Sequence, residues 1–137
     1  MTPEELMGMA IQAMQRSYSP YSGYRVGAAL LAKNDKVYTG CNIENAAYSP
    51  TVCAERCAVF KAVSEGVCEF DAIAVVGSRS SDGALRTAFP CGVCRQVLAE
   101  FCDAENFMIY VLGQDGDVKG HTLAQLLPES FGKGDLG

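Results

Sequence analysis

Two short stretches carry residues that can do chemistry together. Cys53-Ala54-Glu55 offers a thiol and, two residues on, a carboxylate. Pro90-Cys91-Gly92-Val93-Cys94 offers two thiols separated by two residues. Three thiolates can hold one zinc ion, which usually takes four ligands, and a catalytic zinc keeps one of the four positions for water. Cys53, Cys91 and Cys94 would leave that position open, with Glu55 near enough to share a proton with the water. A structural zinc knuckle or a redox dithiol is the plainer reading of Cys91 and Cys94. A knuckle wants four ligands, however, and has no use for Glu55.

The elements around these stretches must bring them to one point. Residues 2–18 read as an amphipathic helix: Thr2 and Glu5 form a capping box, Pro3 suits the first position, and Leu6, Met9, Ala10, Ala13 and Met14 share a stripe. Tyr24 to Ala32 is a nearly continuous apolar strand, which implies burial on both faces. Val37 to Cys41 returns as a hairpin partner after the polar turn 33–36. Asn42 to Pro50 is a loop holding Asn42, Glu44 and Asn45 among small residues.

A second helix is expected from Thr51 to Glu65, ending near Gly66 and apolar almost all round, Phe60 included, hence buried. A strand follows at Phe70 to Gly77, then a Ser-, Gly- and Asp-rich loop from Ser78 to Ala88. A third helix runs from Cys91 to Cys102. Both helices then carry their thiols in the first turn, where partial positive charge favours a thiolate. Phe107 to Leu112 and Val118 to His121 make a hairpin around Asp115-Gly116. A short helix, Thr122 to Leu126, precedes Leu127-Pro128, and the tail beyond reads as mobile apart from Phe131. The pattern predicts a three-layer α/β/α sandwich with a mixed five-stranded sheet.

Composition limits the partners. A chain of 137 residues has the size of one domain, spanning 1–137, and 49% apolar with 20% charged residues is a globular composition. No apolar run approaches the ~20 residues of a membrane span. The acidic start Met1-Thr2-Pro3-Glu4-Glu5 lacks the features of a signal peptide, so a cytoplasmic location is expected. Seven cysteines, an odd number, fit reduced thiols and metal ligands better than disulfides. Cys41, Cys57, Cys68 and Cys102 read as small buried hydrophobes. The lone histidine, His121, reads as a surface residue. A net charge of −5 with no Lys/Arg cluster argues against a polynucleotide partner and for a small uncharged substrate.

Cys-x-Glu followed by Pro-Cys-x-x-Cys is the signature of zinc nucleobase deaminases, in which the glutamate shuttles protons. The chain resembles the small, homotetrameric, three-cysteine cytidine deaminases along nearly its whole length. The matching segments are Val26-Gly27-Ala28-Ala29-Leu30, Gly40 to Tyr48, Cys53-Ala54-Glu55-Arg56, Pro90 to Gln96, and Leu126-Leu127-Pro128 followed by Phe131.

The resemblance implies hydrolysis of the 4-amino group of cytidine or 2′-deoxycytidine in pyrimidine salvage, with one Zn²⁺ per subunit. It implies that Asn42 and Glu44 bind ribose hydroxyls and that Tyr24 and Ala54 also contact the nucleoside. Ala46, Tyr48 and Phe131 would come from neighbouring subunits of a homotetramer with composite sites. Arg56 would hydrogen-bond ligand sulfurs and offset the charge of three thiolates against Zn²⁺. Position 24 departs from the family, which usually has Phe there; the Tyr24 hydroxyl needs a partner. Two alternatives are a deaminase of the same fold acting on another aminopyrimidine nucleoside, such as blasticidin S, and a non-catalytic zinc-binding assembly module.

Overall fold

The computed structural model describes all 137 residues. Helix α1 spans Pro3–Met14 and opens on the expected box, with the Thr2 hydroxyl accepting from Glu5 N–H and the Glu5 carboxylate accepting from Thr2 N–H. It stops short of residue 18 because the backbone of Tyr18 is recruited elsewhere: its N–H donates to the Asn42 carbonyl, and its carbonyl accepts from Glu44 N–H. The strands are β1 (Tyr24–Ala32), β2 (Val37–Cys41), β3 (Phe70–Arg79), β4 (Leu85–Arg86), β5 (Met108–Leu112) and β6 (Val118–Thr122). The helices that follow α1 are α2 (Ala54–Ser64), α3 (Gly92–Phe101) and α4 (Leu123–Leu126), and a 3₁₀ turn covers Lys133–Leu136.

The sheet order is β2-β1-β3-β5-β6, with one parallel pair, β3 and β5, and all others antiparallel. This is the expected mixed sheet of five strands, with one addition. The loop 78–88 folds back so that Leu85 and Arg86 pair with Ser78 and Gly77, which also carries β3 two residues beyond its expected end. Two residues without an alternating pattern give no strand signal.

Side chains leave the central strands alternately toward two layers. Ala29, Ala74 and Val76 meet Leu6, Ala10 and Met14 of α1, whereas Leu30, Ile73, Val75 and Ile109 meet Ala58 and Val59 of α2 and Leu98 of α3. Burial on both faces explains the unbroken apolar run in β1. Helix α2 is not buried all round: Phe60 is exposed and Cys57 half-buried, and Cys68, just beyond the helix, is also exposed.

Gly40 sets how closely α2 approaches the sheet. A Cβ there would lie 2.4 Å from the Ala54 carbonyl oxygen and 2.7 Å from the Ala58 amide nitrogen. The first turn of α2 therefore rests directly on β2. Gly40→Ala should destabilise the fold by about 1–3 kcal/mol through overpacking. Gly8, in α1, has nothing within 4 Å of its Cβ position, so Gly8→Ala should stabilise by about 0.5–1 kcal/mol. Urea denaturation measures both changes, and a Gly40→Ala chain as stable as the parent would contradict the close approach.

Candidate active site

Helix α2 begins three residues later than expected and α3 one residue later, so Cys53 and Cys91 are their N-caps. Both are extended, and neither side chain caps its own helix. The sulfurs turn instead toward each other and toward Cys94. The three Sγ atoms lie within 4.8 Å of one another, with Cys53–Cys91 at 3.8 Å and Cys91–Cys94 at 3.6 Å. Sulfurs about 2.3 Å from a tetrahedral zinc are about 3.8 Å apart. The donor set therefore fits zinc, and the fourth vertex has no protein ligand. Cys57 stands outside the cluster.

The electrostatics of the protein groups also call for a cation. The Cys53 thiol is pulled down to about 5, first by accepting from Cys94 and also by the Arg56 guanidinium. The Cys94 thiol is pushed up, first because it donates to Cys53 and then by its burial. Packed sulfurs share protons when no positive ion sits among them. Arg56 Nη2 donates to Cys53 Sγ at 3.4 Å, the contact expected of this side chain.

Glu55 is only 3% exposed, and its Oε1 has no hydrogen-bond partner in the protein. Burial, reinforced by the Cys53 thiolate, pushes its carboxyl up to about 7. An orphaned buried acceptor is costly unless a small molecule or water completes it.

A cavity of about 390 Å³ opens beside the cluster, and Tyr24, Asn42 and Ala54 line it together with Cys53, Glu55 and Cys91. A neighbouring cavity of about 320 Å³ shares Thr51 with the first and is lined by Glu44 and Tyr48. The largest cavity, about 660 Å³, lies beyond Tyr24 and contains none of the cluster residues.

Asn42 is more occupied than a pure ligand contact would be. Its Oδ1 accepts from Val26 N–H and the Ser17 hydroxyl, and its Nδ2 donates to the Tyr24 carbonyl. The amide clamps the start of β1 and keeps one N–H free. Glu44 is oriented by the turn before β1: Tyr21 and Ser22 N–H donate to Oε1, and the Ser22 hydroxyl donates to Oε2. The Ser22 hydroxyl chiefly holds this exposed carboxyl below its ordinary range. The Tyr24 hydroxyl rests over Gly77, where a Cβ would lie 2.2 Å from it. The absent side chain makes the room that Tyr in place of Phe requires.

Ala46 and Phe131 do not line the cavity within one chain. Phe131 is 59% exposed, and its carbonyl accepts from Gln96 Nε2. Residues that the sequence did not single out are Thr51, Thr87 and Phe89, which also line the cavity, and Ser22, which orients Glu44. Phe89 had one signal: an aromatic residue directly before Pro90-Cys91. His121 is half-buried rather than a surface residue, because its ring packs against Phe89 at 5.5 Å between centroids.

Three thiols gathered at helix N-termini beside a buried carboxylate, under an α/β/α sandwich, define a zinc-dependent deaminase-type centre. The family model for the cytidine and deoxycytidylate deaminase zinc-binding region matches residues 1–111. A cytidine deaminase of Sporosarcina psychrophila is 49% identical over 136 residues, 99% of this chain and 96% of that protein. The crystal structure of cytidine deaminase from Burkholderia pseudomallei superposes with a TM-score of 0.85 at 41% identity, covering 96% of this chain and 100% of that one. A blasticidin-S deaminase from Bacillus cereus is 30% identical over 130 residues, 93% of this chain and 90% of that protein. The chain belongs to the cytidine and deoxycytidylate deaminase family.

Cys91→Ala, and equally Cys53→Ala or Cys94→Ala, should lose the zinc, whereas Cys57→Ala, Cys68→Ala and Cys102→Ala should keep it. Metal analysis of the purified chains decides, and full zinc in Cys91→Ala would contradict the ligand set.

Proposed function

We propose that the chain hydrolyses the 4-amino group of cytidine and 2′-deoxycytidine, giving the uridine nucleosides and ammonia, as a cytoplasmic enzyme of pyrimidine salvage. The observation that carries this reading is the unpartnered buried carboxylate oxygen of Glu55, set in a nucleoside-sized cavity beside the three sulfurs. Zinc held by Cys53, Cys91 and Cys94 supplies the Lewis acidity that makes a water nucleophilic near neutral pH.

Glu55 serves first as base and then as acid. It accepts a proton from the attacking water, passes it to ring N3 as oxygen adds at C4, and delivers the second proton to the departing amine. A carboxyl poised near neutrality suits both tasks, since the two transfers have opposite directions. Arg56 donates to Cys53 and so withdraws charge from a ligand set that carries three negative charges. Tyr24 presents its ring to the nucleoside, and Ala54 lines the same wall. Glu44, oriented and ionised by the Ser22 turn, accepts from a ribose hydroxyl, and the free N–H of Asn42 donates to the sugar. These polar partners favour a nucleoside over a free base, and the net charge of −5 disfavours a polynucleotide.

The active unit is a homotetramer whose sites are completed by neighbours. Support comes from large rings left outside the core of the single chain: Tyr48 is 79% exposed, and Phe60 and Phe131 are also exposed. Large rings left exposed in this number, on the 42–50 loop, on α2 and in the tail, suit contacts with other subunits. Ala46 and Tyr48 border a neighbouring site, and Phe131 packs over the bound pyrimidine of another subunit.

A spectrophotometric assay following cytidine to uridine tests the activity, and Glu55→Ala tests the mechanism. That variant should keep its zinc and fold while turnover falls by about 10²–10⁴; near-normal turnover would remove Glu55 from the reaction. Phe131→Ala should also keep zinc and fold but weaken cytidine binding by about 0.5–1.5 kcal/mol, the worth of a stacked ring. Sedimentation should show tetramers, and fully active monomers would contradict the shared sites.

A further inference from the structure

Phe89 and His121 form a pair that the reaction as described leaves unused. Phe89 lines the cavity together with Cys53, Glu55 and Cys91. It stands two residues before the ligand Cys91, separated from it by Pro90. That proline has a fixed φ and is buried, and its carbonyl accepts from Arg95 Nε at 2.7 Å. The backbone at Phe89 is therefore tied to the ligand loop, and the ring's place depends on its side-chain torsions and on what it touches.

What it touches is His121. The two rings meet edge to face, with centroids 5.5 Å apart and planes at 65°. They are the only aromatic pair of this kind in the chain. His121 is placed by the β5–β6 ladder, opposite Ile109, so the contact ties the ring to the sheet. Phe89 is 47% exposed even with this contact in place. Without its neighbour, a ring this exposed would be free to change rotamer.

The carbon under attack must lie at the sulfur cluster, because the nucleophilic water and Glu55 are there. The exocyclic amine is bonded to that carbon. Phe89 lines the cavity that holds Cys91, and Glu44 lines the neighbouring one, so a bulky side chain at position 89 limits the space around the amine rather than the space around the sugar, which lies toward Glu44.

We infer that Phe89 is a specificity-determining wall that restricts substitution on the 4-amino group, and that His121 is the positioning residue that holds it in place. The inference rests on the deaminase reading above. The compounds excluded are N4-alkylated cytidines.

The test compares kcat/KM for N4-methylcytidine with that for cytidine, both measured on the zinc-loaded enzyme. Truncation of the wall in Phe89→Ala should raise the ratio about tenfold or more, the discrimination that one methylene commands in a pocket. His121→Ala should raise it about two- to tenfold, as expected for loss of an aromatic pair. His121→Phe, which keeps an edge-on ring, should retain the parent ratio. A purely structural role would lower both rates together and leave the ratio unmoved. Zinc content and thermal melts establish that each variant is folded, and Phe89→Leu replaces Phe89→Ala if the latter does not fold.

Calorimetric binding in a Glu55→Gln background gives a readout independent of turnover. There, too, Phe89→Ala should shift affinity toward N4-methylcytidine relative to cytidine. An unchanged ratio in either the Phe89 or the His121→Ala variant overturns the proposal. Failure of the parent to deaminate cytidine overturns instead the reading on which it rests.

Discussion

Three sulfurs packed within 4.8 Å of one another, two of the pairs at 3.6 and 3.8 Å, cannot all carry charge in the absence of a cation. That repulsion is the constraint around which the chain is built. It is visible in the opposite fates of Cys53 and Cys94, one drawn toward the thiolate and the other holding its proton. A divalent ion resolves it, and the N-termini of α2 and α3 lower the cost further, each placing partial positive charge at its cap. Arg56 adds a full charge at Cys53. The same polarity that gathers the sulfurs thus serves catalysis, because a metal overloaded with negative ligands would acidify water poorly.

Holding two helix ends at one point is the work of the sheet. Gly40 lets the first turn of α2 lie on β2, and Lys61 Nζ donates to the Thr39 carbonyl to pin the far end of that contact. On the other side Arg95 ties the Pro90 carbonyl before α3 to the Leu126 carbonyl at the end of α4. One guanidinium thereby couples the ligand loop to the segment that leads to Phe131. Asn42 performs a similar service for the substrate side, binding the start of β1 to the loop that carries Glu44. Ligand geometry, sugar recognition and the outgoing tail are parts of one hydrogen-bonded frame.

Much of this was legible in the chain itself. The Cys-x-Glu and Pro-Cys-x-x-Cys spacings were enough to mark the three thiols that the fold gathers and the carboxylate it buries, because local spacing is preserved at a helix start. The unbroken apolar run of β1 announced a strand covered on both faces. What escaped the sequence depends on contacts between distant residues. Cys53 and Cys91 sit at the caps rather than inside the first turn because their sulfurs turn toward one another, which no local propensity encodes. Tyr18 left α1 for a bridge to residues 42–44. Phe60 looked buried because an apolar helix normally is; a single chain leaves it exposed. The partnership of Phe89 with His121 joins the α3 approach to an edge strand and has no sequence signal at all.

The central claim is a zinc ion held by three sulfurs with a fourth, non-sulfur position facing Glu55. X-ray absorption spectroscopy at the zinc edge on the purified protein measures this directly. The predicted result is three Zn–S distances of about 2.3 Å and one lighter scatterer, oxygen or nitrogen, at about 2.0–2.2 Å. A shell of four sulfurs would mean a closed structural site, and it would contradict the account.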